Sequence, residues 1–147
     1  MAVQTSNYYD RLYGLWDLQE QGYISELNSK VNTTLRRYSW SFRMGMILFH
    51  HNGQETQRDF SKYRLRILYR PQKKGRQRIK VLIDEPIIQR KKHFWPDNSL
   101  CLYKPTNFQW KVGMKISTNL FPSICTWLYH YEVWLETGHW YGEEAEH

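Results

Sequence analysis

The fold class of this 147-residue chain is decided by the segment KYRLRILY at residues 62–69. Its apolar side chains occupy every second position and alternate with lysine and arginine, which is the pattern of a half-buried β-strand. The turn-forming sequence PQKKG follows at residues 71–75, and RIKVLI at residues 78–83 repeats the alternation. Two such strands joined by a short turn predict an antiparallel sheet with one basic, solvated face.

A further strand is predicted upstream of this pair. From Ser39 to Leu48 apolar residues again alternate with polar or small ones, and Asn52-Gly53 gives a hairpin turn signal. Pro86 is expected to end the last strand, because proline cannot donate to the ladder. The chain therefore predicts an antiparallel β-meander of three to four strands.

Helical patterns flank the meander. Residues 6–20 carry apolar side chains at helical spacing, with Ser6 or Asn7 as the candidate N-cap and Gly22 as the expected end. Residues 24–35 suggest a second, weaker helical stretch, and residues 118–137 predict a C-terminal helix that ends before Gly138. Residues 87–116 have no clean period. This order predicts an α+β fold in a single domain over residues 1–147.

The net charge of +7 is unevenly distributed. Residues 58–92 hold 13 of the 21 lysines and arginines but only three acids, whereas five glutamates and no basic residue follow from Glu132 onward. Such asymmetry predicts a surface that attracts an anionic partner. Tyr63 and Tyr69 are in phase with the apolar residues, so they are expected in the core, away from the basic face. This placement disfavours a nucleic-acid stacking platform and favours a protein or phosphate contact.

Several protein classes are disfavoured by composition. No apolar run approaches the roughly 20 residues that span a bilayer, and the N-terminus lacks a signal-peptide pattern, so we expect a cytoplasmic protein without a membrane partner. Cys101 and Cys125 cannot form a disulfide scaffold, and with the scattered histidines they match no common zinc spacing. We therefore expect neither a metal nor another cofactor.

The segment HFWPDNSLCLYKP, at residues 93–105, contains the candidate nucleophile Cys101. Residues 96–99 form a strong turn signal in which Asn98 tolerates the left-handed conformation, and a leucine on each side of Cys101 can anchor the backbone. A cysteine that follows a tight turn on an ordered loop suits a nucleophile. Cys125, beside Ile124 on the predicted last helix, is expected to be a packing residue.

The sequence near Cys101 contains no evident general base, which leaves two chemistries open. A Cys-His hydrolase requires a histidine, an orienting Asn or Asp and an oxyanion hole. An acyl carrier instead requires a hydrogen-bond donor near the developing oxyanion and no strong base at the sulfur. His93, eight residues before Cys101, or Asn98 could supply that donor.

The segment at residues 97–102, followed by Trp110, resembles the active-site segment of ubiquitin-conjugating enzymes. LCLYKP at residues 100–105 and WLYHYEVWLETGHWYG at residues 127–142 are similar to two signatures of the short bacterial members of cyclic-oligonucleotide-based antiphage signalling (CBASS type II) operons. The resemblance is good over residues 93–142 and looser over residues 1–90. The family's His-Pro-Asn tripeptide is missing: His93 falls where its asparagine would stand, and Asn98 stands where the family often has glycine.

The resemblance implies a ubiquitin-conjugating-like acyltransferase. Cys101 would hold, as a thioester, the C-terminal residue of a neighbouring cyclic GMP–AMP synthase-like nucleotidyltransferase and pass it to a lysine, which primes the synthase. The oxyanion role is carried to His93. The chain has no glycine-rich nucleotide loop, so either a separate activating enzyme assists or the chain acts with its synthase alone. A basic module that binds nucleic acid and a Cys-His hydrolase are the alternatives.

Overall fold

The computed structural model describes residues 8–102 and 110–142 and confirms the α+β class. The elements in chain order are α1 (residues 8–12), α2 (Leu15–Glu20), β1 (Ile24–Asn32), β2 (Arg37–Met44), β3 (Met46–His51), β4 (Gln54–Asp59), β5 (Arg64–Tyr69), a 3-10 turn (Gly75–Gln77), β6 (Ile79–Glu85), α3 (Ile116–Asn119) and α4 (Phe121–Thr137).

A four-stranded antiparallel sheet in the order β1-β2-β5-β6 forms the frame. The half-buried strand predicted for β5 is confirmed, since Leu65, Ile67 and Tyr69 are fully buried. Ile67 lies opposite Trp40 of β2 on one side and Val81 of β6 on the other. One hydrophobic core joins the inward face of this sheet to α3 and α4. The predicted meander is therefore present, with four strands.

The single helix predicted over residues 6–20 is wrong, because the chain turns at Gly14 between α1 and α2. Gly14 has a left-handed φ of 85°, and a Cβ at this position would lie 2.0 Å from the Ser117 Oγ. Close approach to α3 thus requires glycine here. The predicted end is confirmed, since Gly22 has a φ of 82° and the Tyr23 N–H donates to the Leu18 carbonyl at 3.0 Å. The cap candidates at positions 6 and 7 lie outside the described residues.

The weaker helical stretch predicted over residues 24–35 is also wrong, because residues 24–32 form β1. The ladder to β2 is interrupted by a bulge between Ser25 and Asn28, where Glu26 has a φ of 55°. An extra residue at a bulge shifts the face of the strand by one position. Ile24 and Leu27, three residues apart, can therefore both pack on the core, although their spacing is typical of a helix.

The strand predicted from Ser39 to Leu48 is divided at Gly45 into β2 and β3, which belong to different sheets. A Cβ at Gly45 would lie 2.8 Å from the Gly22 carbonyl oxygen, so the chain can bend against α2 only with glycine there. Beyond the bend the buried position is odd-numbered instead of even-numbered, since Ile47 is buried and Leu48 is exposed. β3 pairs with β4, and the predicted turn at residues 52–53 is confirmed by φ values of 51° and 77°.

The segment after β6 is irregular, as predicted. A cis Glu85–Pro86 bond ends β6, and an isolated bridge joins Phe94 to Leu100. The predicted C-terminal helix begins later than residue 118, because α3 and α4 are separated at Leu120. Residues 103–105, part of the quoted signature, lie outside the described residues. Within the described part of the chain, no helix has the length and apolar character needed to cross a membrane.

Candidate active site

Cys101 follows a tight turn with a defined backbone. Asn98 adopts the left-handed conformation with a φ of 70°, and its N–H donates to the Trp95 carbonyl at 2.8 Å. The Trp95 N–H in turn donates to the Ser99 carbonyl at 2.8 Å. The structure thus places Asn98 at the point where the chain reverses direction before Cys101.

Asp97 links this turn to β6 through its side-chain contacts. Its carboxylate accepts hydrogen bonds from the Ser99 N–H at 3.0 Å and from the Lys80 ammonium at 2.8 Å. Burial acts to raise the pKa of Asp97, but the hydrogen bonds from Lys80 and Ser99 outweigh it and hold that pKa well below its usual range. Asp97 is therefore a fixed anion with a positioning role and not a candidate base.

The backbone at Cys101 is held between the sheet and α4. The Leu100 N–H donates to the Val81 carbonyl of β6, and the Cys101 N–H donates to the His93 carbonyl, both at 2.9 Å. The Trp127 indole N–H of α4 donates to the same His93 carbonyl at 3.3 Å. The amide of Cys101 is consequently engaged and is not available in this state as an oxyanion donor.

The thiol of Cys101 is buried, with 6% of the residue exposed. Burial raises the pKa of this thiol to about 11, while the positive charge of Arg76 acts in the opposite direction. At neutral pH the sulfur is therefore protonated, since only a small fraction of such a thiol is ionised. This state differs from the thiolate–imidazolium pair of a cysteine hydrolase.

A cavity of about 310 Å³ opens beside Cys101. Its described walls come from the loop, from α4 and from the chain after α4: His93, Cys101, Leu102, Pro122, Ser123, Thr126, Trp127, His130 and Trp140. The structure thus brings His93 and Cys101 to one cavity. Asn98 is not among the described residues that line it, and its side-chain oxygen accepts a hydrogen bond from the Lys91 ammonium at 2.6 Å.

His130 of α4 lines the same cavity, although the sequence did not single this residue out. Its Nδ1 is buried and has no hydrogen-bond partner among the described residues. Burial lowers the pKa of this imidazole. The signal that could have identified it is helical spacing, because Ser123, Thr126 and His130 follow one another at three and four residues along one face of α4.

A second cavity, of about 330 Å³, shares Leu102 with the first. Its walls include Leu100, Val81 and Trp95, and the Arg76 guanidinium stacks over the Trp95 ring at 4.5 Å. The two cavities are therefore chemically different: the one that Cys101 lines has two imidazoles, and the other has mainly apolar walls with a guanidinium on the Trp95 ring.

Much of the basic stretch at residues 58–92 is engaged within the protein. Arg66 pairs with Asp84 at 3.1 Å, and Arg58 and Lys62 both pair with the buried Glu132 of α4, at 3.0 and 2.8 Å. The tyrosines of the stretch, Tyr63 and Tyr69, are buried as predicted. These two tyrosines therefore offer no exposed ring on which a base would stack.

Comparison with protein families gives one match. The family model described as Type II CBASS E2 protein matches residues 27–147, which is most of the chain and includes the sheet as well as the Cys101 loop and α4. Searches of curated proteins and of solved structures each gave no match.

Proposed function

Because the chain belongs to the type II CBASS E2 family, we propose that it is an acyltransferase whose Cys101 carries an acyl group as a thioester. The donor is the C-terminal residue of a partner protein, a cyclic GMP–AMP synthase-like nucleotidyltransferase. The acceptor is a primary amine, and the transfer primes antiphage defence in the cytoplasm from a single catalytic domain. The observation that carries the proposal is Cys101 itself, which follows a turn fastened to the sheet and lines a cavity.

In the loading step, the acyl group is transferred from its donor to the Cys101 thiol. The sulfur of Cys101 attacks an activated acyl carbon, the bond from that carbon to its leaving group breaks, and the thiol proton passes to the departing group. Since burial raises the pKa of this thiol to about 11, it is a weak nucleophile at neutral pH and needs an activated donor. A separate activating enzyme that delivers the acyl group as a thioester meets this need without any nucleotide site in this chain.

The same burial supports a carrier function after loading. A thiol with a high pKa is a poor leaving group, so its thioester reacts slowly with water. This effect favours holding the acyl group until an acceptor enters.

We assign the oxyanion contact to His93 and the shape of the loop to Asn98. The Cys101 amide already donates to the His93 carbonyl, so the oxyanion needs another donor. The His93 ring lines the cavity and packs against Trp140 with ring centroids 4.5 Å apart. Asn98 contributes through its φ of 70°, which few side chains adopt easily.

The alternatives find less support in the site. A Cys-His hydrolase needs a thiol pKa lowered by its histidine, whereas burial raises that of Cys101. A nucleic-acid module needs exposed stacking rings beside its basic residues, whereas Tyr63 and Tyr69 are buried. A nucleic-acid module also gives the Cys101 cavity no role.

The proposal is tested by co-expression with the partner synthase and intact mass measurement without reductant. We expect an adduct that thiols release, that Cys101→Ala abolishes and that Cys125→Ala retains. Cys101→Ser should give a more durable oxygen ester. An adduct that persists in Cys101→Ala, or no adduct in the parent chain with its partner and activating enzyme, would contradict the proposal.

The roles of His93 and Asn98 are separated by substitution. His93→Leu should slow loading by about tenfold or more, because leucine has no hydrogen-bond donor for the oxyanion. Asn98→Gly should load normally, since glycine accepts a positive φ, whereas Asn98→Val should load slowly. Slow loading in Asn98→Gly would instead indicate a direct role for the amide side chain.

A further inference from the structure

The cavity beside Cys101 contains a second imidazole that loading does not use. His130 projects from α4, and both His93 and His130 contact the Trp140 ring, with centroids 4.5 and 5.9 Å away. The described residues that line the cavity include three titratable side chains, His93, His130 and Cys101. A role for His130 has therefore to be sought in chemistry inside this cavity.

The His130 ring is held in place while its Nδ1 is left without a partner. A Cβ at Gly142 would lie 2.6 Å from the His130 Cδ2 and 2.8 Å from its Nε2, so the backbone after α4 packs directly on that edge of the ring. Nδ1 is buried and makes no hydrogen bond within the described part of the chain. A buried acceptor without a partner destabilises the folded state, and a bound donor group removes that cost.

We propose that His130 is a catalytic residue of the transfer step, whose Nδ1 accepts a hydrogen bond and then a proton from the primary amine that attacks the Cys101 thioester. The inference deepens the proposed function, on which it rests. The ligand class is a neutral alkyl amine, such as the ε-amine of lysine. An amine has N–H groups that can donate to the unpartnered Nδ1. Its alkyl chain suits walls formed by Trp127, Leu102 and Pro122.

The step balances without any further reactant. The amine nitrogen forms a bond to the carbonyl carbon, the carbon–sulfur bond breaks, and the sulfur of Cys101 leaves as a thiolate. The surplus proton on nitrogen passes to His130 and from there to the thiolate, which restores the thiol. Burial lowers the pKa of His130, so the imidazole is neutral at neutral pH and able to accept a proton, while the high pKa of Cys101 draws that proton onward.

The test loads Cys101 chemically, so that it does not depend on the natural donor. In a Cys125→Ala background, thiol exchange with the benzyl thioester of N-acetylglycine places an acyl group on Cys101. The loaded protein is then mixed with free lysine, and its discharge is followed by intact mass. His130→Asn is the main variant because its amide lies near the position of Nδ1 but cannot take a proton, and His139→Asn is the matched control on an exposed histidine.

We expect equal loading in all three proteins and transfer to lysine that is at least tenfold slower in His130→Asn only, in line with the usual size of general base catalysis. His130→Ala, with the thermal melt of each protein as a check on folding, should behave like His130→Asn.

Three results would overturn the inference: transfer within twofold of the parent in folded His130→Asn, an equal slowing of hydrolysis and transfer, or no transfer to lysine from the loaded parent chain. Failure of the proposed function is a separate observation, since it appears as a missing adduct with the natural donor. A chemically loaded chain that discharges to lysine through His130 would support the inference even then.

Discussion

The two cysteines of this chain are alike in their burial and in the direction of their thiol pKa shift, and they differ in their surroundings. Cys101 and Cys125 are both 6% exposed, and burial raises the pKa of the first to about 11 and of the second to about 12. Cys101 lies on a loop beside a cavity with two imidazoles, whereas Cys125 lies in the regular backbone of α4 beside the core residue Ile124. Burial and pKa therefore do not distinguish the two thiols, and the proposal for Cys101 rests on the geometry of its loop.

The first prediction tests the similarity of the two thiols. In single-thiol variants Cys125→Ala and Cys101→Ala, alkylation by iodoacetamide at pH 7 should be about 100-fold slower in the folded protein than in urea, because a raised pKa leaves little thiolate. The rate should rise about tenfold per pH unit between pH 7 and 9. Rapid alkylation of folded Cys101 at neutral pH, measured by mass spectrometry, would restore the hydrolase interpretation.

The second prediction uses Trp127 to change the surroundings of Cys101 without changing those of Cys125. Trp127→Phe removes the hydrogen bond to the His93 carbonyl and part of a buried ring, so the free energy of unfolding should fall by about 2 kcal/mol. Alkylation of Cys101 should become faster while that of Cys125 stays unchanged. Trp134→Phe, two turns further along α4, is the control and should leave both alkylation rates alone.

The third prediction concerns the turn before Cys101. Asp97→Asn weakens the contacts to Lys80 and Ser99, so the free energy of unfolding should fall by about 1 kcal/mol at pH 7. Because the pKa of Asp97 is lowered in the folded protein, its contribution is present above the ordinary aspartate pKa and is lost as the pH falls below it. The stability gap between the parent and Asp97→Asn, measured by urea unfolding, should therefore narrow below about pH 4.

Asp84→Asn is the matched control for that measurement. Asp84 pairs with Arg66, and its side chain is 33% exposed, the same fraction as that of Asp97. We expect Cys101 alkylation to change in Asp97→Asn only. An equal change in both variants would mean that the turn is not what positions Cys101.

The smallest expected effect tests the charge near Cys101. The positive charge of Arg76 favours the thiolate of Cys101, so Arg76→Gln should raise the pKa of that thiol and slow its alkylation about two- to threefold. Cys125 should be unaffected, and Arg66→Gln is the control. Faster alkylation in Arg76→Gln would contradict this charge effect.

The sequence predicted the parts of the fold that depend on local pattern. The alternation in β5 and β6, the hairpin turn and the left-handed Asn98 are each specified by neighbouring residues. The missed parts depend on distant contacts: Gly14 bends the chain because it meets Ser117, and Gly45 because it meets Gly22. No local pattern contains those contacts.

The candidate site divides in the same way. Cys101 and His93 occur in one short segment, so their proximity could be inferred from the sequence. His130 is 29 positions after Cys101 and reaches the cavity only because α4 packs against the loop, with the Phe94 and Trp127 rings 5.1 Å apart. Its placement required the fold, and its unpartnered Nδ1 required side-chain coordinates.

The hairpin of β3 and β4 offers a practical attachment point for probes. Its two ends meet at the base, where the Phe60 N–H donates to the Gly45 carbonyl at 3.0 Å, and its tip at Asn52-Gly53 is exposed. Segments with adjoining ends and an exposed tip tolerate inserted sequence well. An epitope or a fluorescent label inserted between Asn52 and Gly53 would report on complex formation while the Cys101 loop and α4 keep their native sequence.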